Sequence, residues 1–285
     1  DEGYQVEAVR NKGYHIVETP DVMTKEELDS LMKTRWAGRN ILYYETTDST
    51  NLRIRQAGDE GAPHGTLAVA DRQTAGRGRR GRTWESPAGN SIYMSVLLRP
   101  DIAPNKASML TIVMALSVAE GIGQWIPMIQ IKWPNDIIVN GKKLVGILTE
   151  MSAQVDYINH VTVGVGINVN MTEFPEEIAD TATSLRLECG HTVKRAPLIA
   201  AVMERLEENY EIFLKTEDLS GLMDRYSALL VNRDRDVRII GEKETYQARA
   251  VGIDHTGELL VRREDGSMEK IYAGEVSVRG VYGYV

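Results

Sequence analysis

The dipeptide Asn140-Gly141 most constrains the fold, because it lies between two β-prone segments in the middle of the chain. Residues 129–139 and 143–151 are rich in branched apolar side chains, which favour strands. Asn-Gly accepts the two positive φ angles of a type I′ turn, the turn that joins adjacent antiparallel strands. The sequence therefore predicts a β-hairpin here.

Helical patterns occur on both sides of this hairpin. Residues 106–121 are apolar on nearly every face, which predicts a core helix. Thr24 and residues 49–51 are predicted N-caps of two helices, the second running through Gln56, and Pro197 is predicted to open another helix. Further strands are predicted at 41–44, 66–70, 91–98 and 161–169, the last interrupted by glycines where a ligand or backbone could approach closely. Hairpins mixed with helices predict a mixed sheet and an α+β fold.

The two ends of the chain have different patterns. Residues 1–20 contain two short alternating segments around a turn signal and are expected to form a hairpin belonging to a larger unit or, alternatively, an edge hairpin of the main domain. From residue 231, short strands alternate with turn sequences and no helical period is seen, which predicts a small barrel. The expected domains are therefore 1–20, 21–230 and 231–285.

Composition excludes several classes of protein. The 285 residues carry a net charge of −8, which argues against a general nucleic-acid coat. The longest weakly polar run, residues 107–119, is shorter than the roughly 20 apolar residues of a spanning helix. The single cysteine, Cys189, cannot form an internal disulfide, and no signal peptide opens the sequence. We therefore expect a cytoplasmic protein that does not contact a membrane.

Four arginines lie among the six residues 77–82, an exception in this acidic chain. Residues 76–81 match G-x-G-x-x-G, but no helix start follows, so the dinucleotide fingerprint does not apply, and a P-loop is excluded because no Gly-Lys-Ser/Thr follows. Guanidinium groups and exposed amides bind phosphate or carboxylate. A glycine-rich anion-binding loop is therefore predicted, with a dimer contact, a solvated basic loop and a nucleic-acid contact as alternatives.

The sequence Lys132-Trp133-Pro134-Asn135-Asp136 lies among apolar residues in the predicted hairpin. A lysine beside a buried strand requires an anionic partner, because an unpaired buried charge is costly. Pro134 interrupts the ladder and predicts a bulge facing a site. The alternative is a lysine at a strand end that extends its charge into solvent.

Other catalytic templates do not fit. There is no G-x-S-x-G motif, and the five histidines are scattered without metal-ligand spacing, so no zinc site is expected. Cys189 has no evident base and is not expected to be a nucleophile.

Six segments, in order and with matching spacing, together resemble the biotin protein ligases. They are residues 49–51, 73–84, 132–136, 141–148, 164–168 and 274–279. The resemblance covers about residues 40–280. It implies a synthetase-like catalytic domain followed by an SH3-like barrel.

The resemblance implies an ATP-dependent ligase with two reaction steps. Biotin and ATP form biotinyl-5′-AMP, and a lysine of a biotin carboxyl carrier protein then takes the biotinyl group. The expected cofactors are ATP and Mg²⁺, and Asp136 is a weak candidate to contact the metal, a capping or structural role being the alternative. A lipoate-type ligase and a biotin-sensing regulator without turnover remain alternative functions.

The resemblance also implies roles for particular residues. The catalytic set is Lys132, Arg77 and Arg79. The biotin-binding set is Ser49, Thr50, Asn51, Gln73, Gly76, Arg77, Arg79, Lys132 and Gly146. The ATP-binding set is Arg77, Arg79, Trp84, Lys132, Lys143, Asn168, Glu275 and Arg279. Arg80 is left open between a dimer contact and a ligand contact.

Residues 3–17 resemble the wing of the winged helix-turn-helix in the bifunctional, repressor-type ligases. The helices of that module are missing, so residues 1–20 are expected to be a remnant. The longer protein is expected to bind DNA and repress transcription, and the present chain is not. A homodimer is possible.

Overall fold

A computed structural model describes residues 5–9, 13–18, 20–241, 244–273, 277–280 and 284–285. Its centre is a seven-stranded sheet in the order β3-β4-β5-β9-β8-β7-β6. The strands are β3 Ile41–Thr47, β4 Leu67–Gln73, β5 Ser91–Leu98, β6 Ile129–Lys132, β7 Asp136–Val139, β8 Lys142–Ala153 and β9 Ile158–Asn168. The pair β3 and β4 is parallel and the other pairs are antiparallel, which confirms a mixed sheet and the α+β class.

Helices cover both faces of this sheet. The helices are α1 Lys25–Leu31, α2 Thr50–Asp59, α3 Met109–Ile122, α4 Leu185–Cys189, α5 Arg195–Thr216 and α6 Met223–Leu229. The largest core cluster contains nearly all of α3 and the buried side of α5. Ile54 of α2 packs instead with Ala68 and Leu97, whose side chains point to the opposite face. The predicted core helix is confirmed.

The predicted hairpin around Asn140-Gly141 is confirmed, since both residues have positive φ angles, 49° and 76°. The prediction of one continuous strand over 129–139 is wrong. Pro134 cannot donate to a ladder, so residues 133–135 form a turn rather than a bulge, and β6 and β7 are separate antiparallel strands. This turn places Lys132 directly opposite Asp136.

Two helix starts differ in detail from the prediction. Thr24 caps α1 as expected, accepting a hydrogen bond from the Glu27 backbone N–H. Ser49 precedes α2 but its side chain makes no capping hydrogen bond, and the helix continues past Gln56 to Asp59. Helix α5 begins at Arg195, two residues before Pro197, because a proline in the first turn costs no intrahelical hydrogen bond.

The ends of the chain form separate sheets. Strands β1 Gln5–Val9 and β2 Gly13–Glu18 pair antiparallel. Strands β10 Arg235–Ile240, β11 Thr245–Ile253, β12 Leu259–Arg262, β13 Met268–Ile271 and β14 Ser277–Gly280 form a five-stranded antiparallel sheet in the order β13-β12-β11-β10-β14. Within the described part of the chain, none of the helices combines the length and apolarity that crossing a bilayer requires.

Candidate active site

Two adjacent cavities lie where β8 and β9 meet the arginine-containing segment. The smaller has a volume of about 50 Å³ and the larger about 610 Å³. The wall between them is formed by the residues that line both cavities: Gly78, Arg79, Trp84, Asn135 and Lys143. Two ligands that bind here would meet at this wall.

Neutral groups form the polar side of the smaller cavity. The Thr50 backbone N–H donates to Gln73 Oε1 at 2.8 Å, and Gln73 Nε2 donates to Ser86 Oγ at 3.0 Å. Ser95 Oγ lies 2.7 Å from Thr50 Oγ1. Because these side chains hold one another, this part of the cavity presents fixed, uncharged donors and acceptors. The cations that line the same cavity are Arg77, Arg79 and Lys143, and the last two belong to the common wall.

Asn51 completes this network and needs a glycine beside it. Ser95 Oγ donates to Asn51 Oδ1 at 2.6 Å, and Asn51 Nδ2 donates to Glu150 Oε2 at 2.7 Å. A Cβ atom on Gly164 would lie 2.0 Å from Asn51 Oδ1. The glycine-interrupted strand β9 was predicted to allow a close approach, and Asn51 makes one.

Trp84 makes the second close approach. Cβ atoms on Gly146 and Gly166 would lie 2.6 Å and 2.5 Å from its ring. The indole therefore lies directly on the backbone of β8 and β9, between the two cavities. Its Nε1 is buried and has no hydrogen-bond partner among the described residues.

The segment around the four arginines is a closed turn. Gly78 N–H donates to Arg82 O at 2.7 Å and Trp84 N–H donates to Gly76 O at 3.0 Å. Arg79 anchors the turn, since its Nη1 donates to Asn135 Oδ1 at 2.8 Å and its Nη2 donates to Ala273 O, beside the five-stranded sheet. Arg77 is half-exposed and lies 3.8 Å from Glu150.

Lys132 is the buried cation of the larger cavity, with only 4% of its surface exposed. Burial lowers its pKa to about 7, the charges of Arg279, Lys143 and Arg82 act in the same direction, and Asp136 opposes them. The ammonium lies 3.3 Å from the centroid of the Tyr284 ring. An anion entering this cavity would relieve the repulsion among these cations.

Asp136 is the anion opposite Lys132. Burial acts to raise its pKa, but the charge of Lys143, whose Nζ is 2.7 Å from Oδ1, outweighs burial and keeps the pKa below its usual value. The Tyr284 hydroxyl donates to Oδ2 at 2.5 Å. Both carboxylate oxygens are therefore occupied, which favours the structural role. The described residues contain no group of three or more metal-ligating side chains.

The structure brings most of the predicted biotin-binding residues to the smaller cavity: Ser49, Thr50, Asn51, Gln73, Arg77, Arg79 and Gly146. Lys132 lines the larger cavity instead. Gly76 is not among the lining residues, and it lies behind Trp84, where a Cβ atom would be 2.3 Å from the Trp84 carbonyl oxygen.

The larger cavity collects most of the predicted ATP-binding residues: Arg79, Trp84, Lys132, Lys143, Asn168 and Arg279. Arg77 lines the smaller cavity only. Asn168 also donates to Thr183 O at 3.0 Å, so its amide supports the backbone behind the cavity. Glu275 lies outside the described residues.

Three residues of the site were missed. Ser95 lies in a strand of eight buried residues, and a hydroxyl in such an apolar run was the available signal. Asn135 was within the noted motif but received no role, although it receives the Arg79 hydrogen bond. Tyr284 follows the last recognised motif, and nothing in its local sequence points to the site.

Two family models match this chain. The biotin/lipoate A/B protein ligase family matches residues 43–168, and the biotin protein ligase C-terminal domain matches residues 234–279. The first match runs from within β3 to the end of β9, and the second runs from just before β10 to within β14.

Individual relatives cover most of the chain. The bifunctional ligase/repressor BirA of Bacillus subtilis is 39% identical over 280 residues, which are 97% of this chain and 86% of that protein. The biotin–[acetyl-CoA-carboxylase] ligase of Paracoccus denitrificans is 32% identical over 82% of this chain and 98% of its own length. The solved structure of the biotin protein ligase from Aquifex aeolicus in complex with biotin and ATP superposes with a TM-score of 0.74 at 33% identity, covering 85% of this chain and 99% of that one.

Proposed function

This chain belongs to the biotin protein ligase family, and we propose that it joins biotin to ATP and then transfers the biotinyl group to a lysine of a carboxylase carrier protein. The observation that carries the proposal is a pair of adjacent cavities with a common wall. The smaller contains a network of neutral donors and acceptors, the larger contains the buried Lys132, and two cations, Arg79 and Lys143, stand in the wall between them. The carboxylate of a ligand in the first would meet the phosphate of a ligand in the second at that wall.

The smaller cavity is assigned to the ring end of biotin. The ureido group of biotin is neutral, and it needs neutral donors and acceptors at fixed positions. Thr50, Gln73, Asn51 and Ser95 supply such groups, each held by a neighbour. The volume of about 50 Å³ would have to increase on binding, and Trp84 is the side chain that lies over the glycine floor.

The larger cavity is assigned to ATP. Its cationic residues include Arg82, Lys132, Lys143 and Arg279, and such groups bind phosphates. Mg²⁺ would enter with the phosphates, since Mg²⁺ usually keeps several waters and takes few protein ligands. The residues described here offer no protein cage for it, and Asp136 is not assigned to it.

In the first step the biotin carboxylate attacks the α-phosphate and pyrophosphate leaves. Two anions must approach each other, so a fixed cation at the meeting point lowers the barrier. Lys132 is assigned this role because it is buried beside the common wall and already held in place. Arg79 is assigned to closing the turn over the adenylate, which excludes water from the anhydride.

In the second step the carrier lysine amine attacks the acyl carbon and AMP leaves. No nucleophile from the protein is required. The turn containing Arg79 would have to open so that the carrier can reach the anhydride.

Exchange of labelled pyrophosphate into ATP tests the first step. We expect exchange with biotin and none with lipoate, followed by transfer of biotin to a purified carrier domain but not to the same domain with its acceptor lysine replaced by arginine. Exchange with lipoate alone would indicate a lipoate-type ligase. Biotin binding without exchange would indicate a sensor.

We further propose that transcriptional repression, part of the printed name of the Bacillus subtilis relative, requires more than the β1–β2 hairpin. The proposal rests on the form of residues 5–18, which are a two-stranded hairpin, since a hairpin by itself supplies no recognition helix for the major groove. In an electrophoretic mobility assay with duplex DNA of the biotin operon, we expect no specific shift with this chain. A specific shift would contradict the proposal.

A further inference from the structure

Tyr284 lies in the larger cavity, and none of the assigned roles uses it. Its ring covers the Lys132 ammonium at 3.3 Å and lies 5.5 Å from the Arg279 guanidinium, and its hydroxyl donates to Asp136. Burial and the neighbouring Asp136 raise the pKa of this hydroxyl, so that it remains a donor at neutral pH.

We propose that Tyr284 is a positioning residue of the adenylation reaction: its ring holds the Lys132 ammonium, and its hydroxyl fixes Asp136. The inference rests on the proposed function, because it requires that Lys132 acts on the reacting anions.

The ring contributes something that a carboxylate would not. Lys132 is a point charge on a flexible stem, and Arg82, Lys143 and Arg279 repel it. An aromatic face attracts an ammonium without carrying a negative charge. Lys132 is therefore held without an added anion that would repel a carboxylate and a phosphate.

The hydroxyl has a separate task. Asp136 pairs through Oδ1 with Lys143 and through Oδ2 with Tyr284. With both oxygens occupied, the carboxylate stays with these partners instead of turning toward the ammonium opposite it. Lys132 then remains available to the substrates.

The segment that carries Tyr284 is itself packed. A Cβ atom on Gly280 would lie 2.2 Å from the Val285 backbone, and one on Gly141 would lie 3.6 Å from the Val285 side chain. Val285, the neighbour of Tyr284, therefore lies against β14 and against the turn between β7 and β8, and Asp136 lies at the other end of β7.

Biotin-dependent pyrophosphate exchange by Tyr284→Leu, Tyr284→Phe and wild-type protein tests the inference. Tyr284→Leu should lower kcat/KM for ATP about tenfold, within the usual range for a desolvated cation–π contact. Its KM for biotin should change less than twofold, because the smaller cavity does not contain Tyr284. Tyr284→Phe keeps the ring and should remain within about threefold of wild type.

The pH profile separates positioning from mere packing. The charged form of Lys132 faces Arg82, Lys143 and Arg279 as cations and Asp136 as the anion, with the neutral Tyr284 ring above it. Without the ring the charged form is less stable, so the fall of kcat/KM at high pH should move to lower pH in Tyr284→Leu. It should not move to lower pH in Tyr284→Phe, because the ring is kept and a released Asp136 favours the charged form of Lys132.

Tyr157→Leu is the matched control, since Tyr157 is 59% exposed and should leave both the rate and the pH profile unchanged. A folded Tyr284→Leu variant with wild-type rates and an unshifted pH profile would overturn the inference. A lower KM for ATP in this variant would also overturn it, because it would show that the ring hinders ATP binding. If Tyr284→Leu does not fold, a profile shifted to lower pH in Tyr284→Phe would overturn the role of the ring. Absence of exchange in wild type would instead refute the proposed function.

Discussion

The two cavities of the site differ in how their polar and charged groups are paired. The smaller contains a network of neutral groups on the sheet and α2 that satisfy one another through hydrogen bonds, and the cations in its lining are Arg77 and the wall residues Arg79 and Lys143. The larger concentrates Lys132, Lys143, Arg82 and Arg279 around one buried carboxylate, with side chains from the arginine turn, the β6–β7 turn and the residues near β14.

This difference indicates that substrate specificity and reaction rate depend on different parts of the site. The neutral network of the smaller cavity can be rigid before a ligand arrives, because its polar groups are already paired. A cationic cavity remains strained until an anion enters, since like charges are held together in a buried place. Recognition of the uncharged ring and stabilisation of the reacting anions therefore depend on different residues.

The largest expected effect is the loss of adenylation in Lys132→Met. A buried electrostatic contact to a reacting anion is worth about 2.7–4 kcal/mol, so pyrophosphate exchange should fall by about 10²–10³. The affinity for biotin, measured by calorimetry, should change much less, because Lys132 does not line the smaller cavity. If biotin affinity fell by as large a factor as pyrophosphate exchange, biotin binding and adenylation would not depend on different cavities.

The next largest effect is expected for Gly164→Ala. The added Cβ would displace Asn51 from Ser95 and Glu150, and overpacking of this kind costs about 1–3 kcal/mol. KM for biotin should rise by about tenfold or more, with a smaller change in KM for ATP. Gly252→Ala is the control, since no atom of the described residues, apart from its chain neighbours, lies within 4 Å of a Cβ atom placed there. An unchanged KM for biotin would contradict the role of Asn51.

Retention of the adenylate should distinguish Arg79 from Arg77. Arg79→Gly removes the hydrogen bonds to Asn135 and Ala273, whereas Arg77→Gly removes only a half-exposed contact 3.8 Å from Glu150, worth at most about 1 kcal/mol. Release of biotinyl-AMP, followed by labelling of free amines in solution, should be several-fold faster in Arg79→Gly than in Arg77→Gly. The reverse order would contradict the anchoring role of Arg79.

The sequence predicted the smaller cavity better than the larger one. Asn-Gly defines a local turn, and a glycine-interrupted strand beside residues 49–51 predicts a close approach, so the neutral cavity follows from short-range patterns. The break between β6 and β7 was within reach, because Pro134 was known to interrupt a ladder. The assumption of a bulge kept the strand whole and concealed the pairing of Lys132 with Asp136.

The larger cavity depends on contacts that no local pattern encodes. Arg79 reaches Ala273 across 194 residues, and Tyr284 reaches Asp136 across 148 residues. Both contacts join residues in or beside the seven-stranded sheet to residues beside the five-stranded sheet, and they arise only when the two parts pack together. Family resemblance supplied Lys132 and Arg79, but Tyr284 follows the last recognised motif and was therefore missed.

The smallest expected effect concerns stability, and it tests whether the cationic cavity is strained without a ligand. In the unfolded chain Lys132 keeps its proton up to about pH 10.5, whereas burial lowers its pKa to about 7 in the folded protein. Between these values the unfolded state binds more protons, so this lysine makes the unfolding free energy rise with pH, by up to about 1.4 kcal/mol per unit. The unfolding free energy measured with urea should therefore rise less between pH 7.5 and pH 8.5 in Lys132→Met than in wild type. Gln73→Met alters the neutral network of the smaller cavity and should keep the wild-type rise. If the unfolding free energy of Lys132→Met rose as much as that of wild type, the pKa of Lys132 would not be lowered in the protein without ligand.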